Sequence, residues 1–268
     1  MSAEKPLNGF NVLVTRANSQ AAEFSKKIQA AGGCPIEVPL IATRKTETDF
    51  NALPVLKQLT SKDWIVFTSA NGVQYFSEHV KDLSLELEDL KNVNVACVGI
   101  KTKKAAEKIG WKVSLCPEEF RAESLAEELI DHVRQDSKIV IARGNLARTY
   151  LREVLTEKKI FFFDFVVYET IQLLENEKEV LHLLENKTID FITLTSSSTA
   201  SAFMQIVKRN GLENRVRDIV FVCIGPITRD KLLSYKIKCT CIMPEKYTID
   251  GMLEKMCTYA KKGRNRSC

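Results

Sequence analysis

Histidine is nearly missing: there are three in 268 residues, His79, His132 and His182, each alone in a segment of helical, amphipathic pattern. A metal centre built on imidazole, or a nucleophile–histidine–acid triad, would have to use one of them. Their setting reads instead as three helix-surface histidines. The eight cysteines contain no C-x-x-C. Cys34, Cys97, Cys116, Cys223, Cys239, Cys241 and Cys257 are dispersed, and Cys268 is the last residue. That spacing argues against a zinc site. Cys97 and Cys223 lie inside apolar runs, where a free thiol acts as a small hydrophobe, and Cys239 and Cys241 would share one face of a strand. Glycine and proline are few, 11 and 7, against 45% hydrophobic and 27% charged residues, so disorder and fibrous repeats are excluded. No apolar run approaches the 18 residues of a membrane helix, and Met1-Ser2-Ala3-Glu4-Lys5-Pro6 is no signal peptide. With unpaired, buried thiols these absences point to the cytoplasm and to no membrane partner.

Phosphate-binding loops are missing too. The first strand leads into Thr15-Arg16-Ala17-Asn18 rather than G-x-G-x-x-G, no G-x-x-x-x-G-K-[ST] occurs, and Gly99-Ile100-Lys101-Thr102 is too short to read as a nucleotide loop. Basic residues exceed acidic ones only by 39 to 34, and they cluster solely at Lys261, Lys262, Arg264 and Arg266. Nucleic-acid binding, which needs a basic face, is disfavoured, whereas a small acidic ligand suits the charge.

What is present is alternation. Short β-branched runs near 11–15, 35–38, 64–68, 94–98, 112–115, 138–142, 160–166, 190–195, 219–224 and 238–242 are each followed by about a dozen residues of helical period. The stretch 122–134 is typical: Leu125, Leu129, Ile130 and Val133 form one apolar stripe, with Glu123, Glu127, Glu128 and Asp131 facing water. The pattern is that of α/β units with parallel sheets, and the length suits two domains. The chain also repeats itself. Asp63-Trp64-Ile65-Val66-Phe67-Thr68-Ser69 returns as Asp190-Phe191-Ile192-Thr193-Leu194-Thr195-Ser196, and Val95-Ala96-Cys97-Val98-Gly99 as Phe221-Val222-Cys223-Ile224-Gly225. Pro117-Glu118-Glu119-Phe120 returns as Pro244-Glu245-Lys246-Tyr247, and Arg16-Ala17-Asn18 as Arg143-Gly144-Asn145. Anchors at nearly one offset indicate a tandem duplication.

Two similar lobes predict a cleft as the ligand site. The repeated motifs fall at carboxyl ends of strands, where helix N-termini present N–H groups to anions. Thr68, Ser69 and Ala70 in one copy, and Ser196, Ser197 and Ser198 in the other, occupy one such pair of turns. Lys101 and Thr102 follow Gly99, and Thr228 follows Gly225, in a second pair. Each hydroxyl alone reads equally as a helix cap. The four turns together read as binding.

At these residues the chain resembles the uroporphyrinogen-III synthase family. The likeness runs through about 10–255. It is carried by Leu13-Val14-Thr15-Arg16, Pro39-Leu40-Ile41, Phe67-Thr68-Ser69-Ala70-Asn71-Gly72-Val73, Val98-Gly99 with Lys101-Thr102, and Phe120-Arg121-Ala122-Glu123-Ser124-Leu125. It continues in Val167-Tyr168-Glu169-Thr170, Thr195-Ser196-Ser197-Ser198 and Ile224-Gly225-Pro226-Ile227-Thr228. Two positions depart from the family pattern: Ala17 where a proline is frequent, and Gly144-Asn145-Leu146-Ala147-Arg148 in place of a glycine-richer turn.

The resemblance implies two flavodoxin-like lobes, each a five-stranded parallel sheet flanked by helices, joined by a two-stranded connector. One lobe would comprise 1–39 with 171–268, the other 42–166, with connectors near 39–42 and 166–170. It implies closure of hydroxymethylbilane, a linear tetrapyrrole with eight carboxylates, into uroporphyrinogen III, with loss of water and inversion of the last ring through a spiro intermediate. No cofactor and no metal are implied. Tyr168 is singled out as proton donor for the departing hydroxide, or as an aromatic that only packs. Thr68, Ser69, Ala70, Thr102, Ser196, Ser197, Ser198 and Thr228 are implied to bind substrate. Lys101 and Arg16 would pair with carboxylates or serve as solvated or structural charges. The preceding deaminase is a conceivable transient partner, and monomer is the default state. Alternatives from the residues alone are a non-catalytic two-lobe binder of a small anion, and a two-lobe transferase, which the missing phosphate loop disfavours.

Overall fold

A computed structural model describes residues 5–16, 18–119 and 122–264. Ala17, Phe120, Arg121 and the terminal residues 1–4 and 265–268 lie outside the described residues. The chain divides into two compact units, one of residues 1–42 with 171–268 and one of residues 43–170.

The first unit holds strands β1 (Asn11–Val14) and β2 (Cys34–Glu37) from the start of the chain. To these the end of the chain adds β9 (Phe191–Leu194), β10 (Val220–Cys223) and β11 (Thr240–Ile242). The sheet order is β11-β10-β9-β1-β2, and all its pairings are parallel. Numbered within the unit, this is the flavodoxin-like order 2-1-3-4-5. Alternate residues of each strand face opposite layers. Leu13, Ile192, Phe221 and Cys223 pack with Val180 and Leu184 of α7 (Glu177–Glu185), Phe203 of α8 (Ser197–Arg209) and Leu232 of α9 (Pro226–Leu233). Val12, Val14, Phe191 and Val222 pack with Phe24 and Ile28 of α1 (Asn18–Ala30) and with Met252 and Met256 of α10 (Ile249–Arg264). Burial on both faces is why these strands read as continuous apolar runs.

The second unit repeats the plan. Its strands are β4 (Trp64–Phe67), β5 (Asn94–Cys97), β6 (Val113–Leu115), β7 (Ile139–Gly144) and β8 (Phe162–Gln172), parallel in the order β8-β7-β4-β5-β6. One face carries Ile65, Phe67, Val95 and Val140 against Leu56 of α2 (Ala52–Lys57), Phe76 of α3 (Ala70–Asp82) and Ala106 of α4 (Ile100–Lys108). The other carries Trp64, Val66, Ala96 and Ile141 against Leu125 and Leu129 of α5 (Ala122–His132) and Leu155 of α6 (Tyr150–Glu157). Started at β7, this order is again 2-1-3-4-5, so the unit is a cyclic permutation of the first.

The expectation of five strands per sheet holds for the first sheet and fails for the second, which has six. The extra strand, β3 (Ile41–Lys45), pairs with β8 at the sheet edge. Backbone bonds from Thr46 to Val167 (3.4 Å) and from Leu173 to Leu40 (2.9 Å) bracket it and make it antiparallel. β8 also runs on to Gln172, beyond the expected end at 166, because β3 supplies partners for its second half.

Equivalent aspartates tie the strand starts together. Asp63 accepts from the Lys138 amide and Asp190 from the Asn11 amide, each at 2.7 Å. Asp63 and Asp190 are 127 residues apart, as are Asn11 and Lys138, so one bond is made twice between the corresponding strands of the two sheets. Cys239 and Cys241 do pack against one core layer, where the Cys241 thiol donates to Cys223 at 3.6 Å.

Candidate functional site

In an open parallel sheet, ligands collect beyond the carboxyl ends of the strands where the strand order reverses. That point lies between β1 and β9 in the first unit and between β7 and β4 in the second. Most of the expected residues stand there. Arg16 follows β1, and Ser196, Ser197 and Ser198 follow β9; Thr68, Ser69 and Ala70 follow β4, and Arg143 and Gly144 end β7. The Gly99 and Gly225 turns end the next strands, β5 and β10.

The turns of the two units match in geometry. Ser69 caps α3 with an extended backbone (φ −161°, ψ 158°), and its hydroxyl accepts from the Gly72 amide at 2.9 Å. Ser196 caps α8 in the same way (φ −158°, ψ 161°), accepting from the Thr199 amide at 3.1 Å. Gly99 and Gly225 cap α4 and α9 with extended backbone and no side-chain bond. Such caps leave the first amides of each helix without an intrahelical partner. These are the amides of Ala70 and Asn71, Ser197 and Ser198, Ile100, Lys101 and Thr102, and Ile227 and Thr228. Thr102 and Thr228 are themselves buried, each 4% exposed, so backbone rather than hydroxyl is what these two positions offer. Lys101 is exposed and makes no ion pair among the described residues. Arg16 is half-buried; burial lowers its pKa against the opposing pull of Glu23, and a guanidinium remains cationic there.

Tyr168 has the most specific surroundings. Its hydroxyl lies 3.1 Å from the Ser69 hydroxyl, and its ring stacks on Tyr75 at 5.4 Å and 25°. Tyr75 is fixed in turn by donating to the Thr43 carbonyl at 2.9 Å. Opposite Tyr168 in the sheet is Gly144, and a Cβ there would stand 2.5 Å from the tyrosine Cζ and 2.8 Å from its oxygen. Gly144 is therefore the floor on which the ring lies. Asn145 closes the turn: its amide donates to the Tyr168 carbonyl at 3.0 Å, and its side chain accepts from the Thr170 amide at 2.9 Å. Beneath, Arg143 is 7% exposed and grips Asp164 with two bonds, 2.5 and 2.7 Å, while also donating to the Gly144 carbonyl at 2.9 Å. Arg152 adds a third bond to Asp164 at 3.0 Å. Burial would raise the Asp164 carboxyl, but the two arginines outweigh it and hold the group below the ordinary carboxylate range.

A family model described as uroporphyrinogen-III synthase HemD matches residues 22–254. The chain belongs to the uroporphyrinogen-III synthase family. Relatives include a putative uroporphyrinogen-III synthase of Methanocaldococcus jannaschii, 29% identical over 94% of this chain and 99% of its own length. The uroporphyrinogen-III synthase of Synechococcus elongatus is 26% identical over 94% of this chain and 96% of its own. The porphyrin biosynthesis protein HemD of Ruminiclostridium josui is 28% identical over 94% of this chain, which spans only 49% of that longer protein. Among solved structures, a mutant uroporphyrinogen III synthase of Thermus thermophilus matches with a TM-score of 0.71 at 18% identity, covering 95% of this chain and all of its own. The Helicobacter pylori enzyme matches with a TM-score of 0.61, also at 18% identity, over 93% of this chain and 99% of its own. At that identity the likeness establishes the family's α/β fold: parallel sheets flanked by helices.

Tyr75, Thr43 and Asp164 were not reachable from sequence pattern. Arg143, Gly144 and Asn145 stand out there only as the repeat of Arg16-Ala17-Asn18 and as a turn where the family pattern carries more glycine, without a role. The histidine expectation is corrected at one position. His132 and His182 are exposed, as expected, but His79 is fully buried, because β8 lies across the face of α3 that carries it. Among the described residues no three His, Cys, Asp or Glu side chains gather as metal donors, and no helix is long and apolar enough to cross a membrane.

Proposed function

We propose that this chain converts hydroxymethylbilane to uroporphyrinogen III, and that the strand-end turns of both units hold the substrate. The observation that carries the reading is the family match across 22–254, joined to the repeated amide-rich turns. Eight carboxylates call for many shared N–H donors rather than a few strong cations, and the paired caps supply that chemistry. Ala70, Ser197, Ser198, Thr102 and Thr228 act through backbone amides, and Thr68, Ser69 and Ser196 shape the turns. Lys101 and Arg16 add positive charge.

Tyr168 donates the proton that lets hydroxide leave the first ring. A phenol with a reference pKa near 10 is fully protonated at neutral pH but is a weak acid. Ser69, donating to the phenol oxygen, would stabilise the phenolate formed as the proton departs, which is the direction catalysis requires. The resulting cation is attacked by the last ring at its substituted carbon, and the spiro intermediate fragments and recloses inverted. Because the free bilane closes by itself without inversion, the protein has chiefly to select geometry. A hundredfold preference corresponds to about 2.7 kcal/mol, within reach of positioning alone. The matching sheets reflect duplication of one α/β unit with exchange of strands between the copies. A cytoplasmic monomer with transient contact to the preceding deaminase completes the reading.

Freshly generated hydroxymethylbilane supplied to the protein, followed by chromatography of the oxidised products, tests it. Isomer III above the spontaneous isomer I is expected. Isomer I alone would mean a binder without catalysis. Tyr168→Phe is expected to lower the rate without abolishing it, and full activity in that variant removes Tyr168 from the mechanism.

A further inference from the structure

We infer that His79 is a positioning residue for Tyr168, acting through a bulge at Val167; the inference rests on the reading of Tyr168 as proton donor. β7 and β8 run in register from Ile139 opposite Phe162 to Arg143 opposite Val166, and then slip: Gly144 stands opposite Tyr168, and Val167 is the extra residue. Side chains alternate along a strand, so one residue more or less decides which face a side chain meets. Without the bulge Val167 would stand opposite Gly144, and Tyr168 would leave its place beside Ser69.

Something must hold the extra residue, and two bonds to it and a third to its neighbour do so. His79 Nε2 lies 2.9 Å from the Val167 carbonyl, the Thr46 amide reaches the same carbonyl at 3.4 Å, and the Thr46 hydroxyl donates to the Val166 carbonyl at 2.7 Å. A carbonyl only accepts, so Nε2 carries the proton and Nδ1 is the bare nitrogen of a neutral ring. Nδ1 is buried with no hydrogen-bond partner among the described residues, and the ring packs on Phe165 at 5.1 Å. Burial holds the imidazole pKa below its ordinary value against the opposing hydrogen bond to the Val167 carbonyl; Lys45 on β3 pushes it down as well, and Asp82 and Glu78 on α3 push it up. One helix thus touches the Tyr168 segment three times: Ser69 at its cap meets the hydroxyl, Tyr75 meets the ring, and His79, one turn further on the same face, meets the backbone.

The test compares His79→Leu, His79→Gln, Tyr168→Phe and the double variant His79→Leu/Tyr168→Phe, with kcat and KM measured for isomer III formation. Each protein also carries 3-fluorotyrosine for fluorine NMR, the Tyr168 signal being assigned by its loss in Tyr168→Phe. In His79→Leu kcat is expected to fall by about tenfold with KM within a factor of about two. Gln, which keeps an N–H donor, restores most of the loss. In the Tyr168→Phe background His79→Leu has no further effect, because both changes remove the same contribution. The Tyr168 resonance shifts in His79→Leu and returns in His79→Gln, while that of Tyr235 stays in place. Should His79→Leu fail to fold by circular dichroism, Thr46→Val and His79→Asn loosen the same carbonyls and take its place. An equal kcat loss in both backgrounds, or an unmoved Tyr168 resonance in a folded variant, overturns the inference. Full activity of Tyr168→Phe overturns the proton-donor reading instead, and the fluorine shift alone then decides whether His79 sets the bulge.

Discussion

Gly144 is a residue whose identity the space around it explains. Tyr168 occupies the volume that any side chain would need. Gly144→Ala is therefore expected to displace the ring and to lower isomer III formation by about tenfold. The same substitution in a Tyr168→Ala background should cost nothing further, a comparison that steady-state kinetics on the four proteins makes directly. Cysteine chemistry at this scale was legible in the sequence. Cys97, in the middle of an apolar run, is fully buried, and its thiol is pushed up to about 12, chiefly by that burial. Cys34 is exposed. Peptide mapping after brief alkylation near pH 8 should find Cys34 modified before the other cysteines among the described residues, and Cys97 modified only in denaturant. His79 was not legible. A helical pattern shows which face a residue occupies, not whether a polar backbone group of another element waits there to satisfy it.

Helices and strands were easier to read than their edges. The ten apolar runs all became strands because both faces of each sheet are covered. β3 escaped because Ile41-Ala42-Thr43-Arg44-Lys45, a half-exposed edge strand, has neither the unbroken apolar run nor the strict alternation that marks a covered one. The paired caps were legible as Ser and Thr at strand-to-helix turns, yet their two roles separate only in three dimensions. Ser196→Ala should cost about 1 kcal/mol of stability as a lost cap, measured by urea unfolding. Ser69→Ala should cost a similar amount and also slow turnover, since Ser69 alone of the two touches Tyr168. On β8, Asp164→Ala leaves Arg143, buried at the end of β7, without its carboxylate partner. A loss of about 3 kcal/mol is expected there, and chemical denaturation will show it.

For the molecule as a whole, His79 and Asp164 both contribute to how stability follows pH. The unfolded chain takes up a proton at histidine near pH 6.5, whereas buried His79 resists it. The unfolded state then binds more protons, so stability falls as pH drops through that region. Asp164 has its pKa depressed in the folded state, so its contribution is complete above about pH 4 and is lost as pH falls below that. Urea midpoints measured from pH 8 to pH 5 should decline below about pH 7, and His79→Gln should flatten that decline. The alternating units, the sheet class and the repeat offset were all visible in the sequence, because continuous apolar runs and matched anchors are linear features. Strand order is not linear: only the family resemblance, by joining 1–39 to 171–268, put β1 in one sheet with β9.

That neighbourhood has a consequence for biosynthesis. The strands of the second sheet, β3 to β8, form one unbroken stretch of chain, so this sheet can close on the ribosome as soon as Gln172 has emerged. β1 and β2 are made first, but they must wait, with their apolar faces uncovered, until β9, β10 and β11 have been translated. The order of synthesis is thus reversed in the order of folding: the interior of the chain matures before its beginning, and the earliest segment to emerge remains longest in need of protection from aggregation.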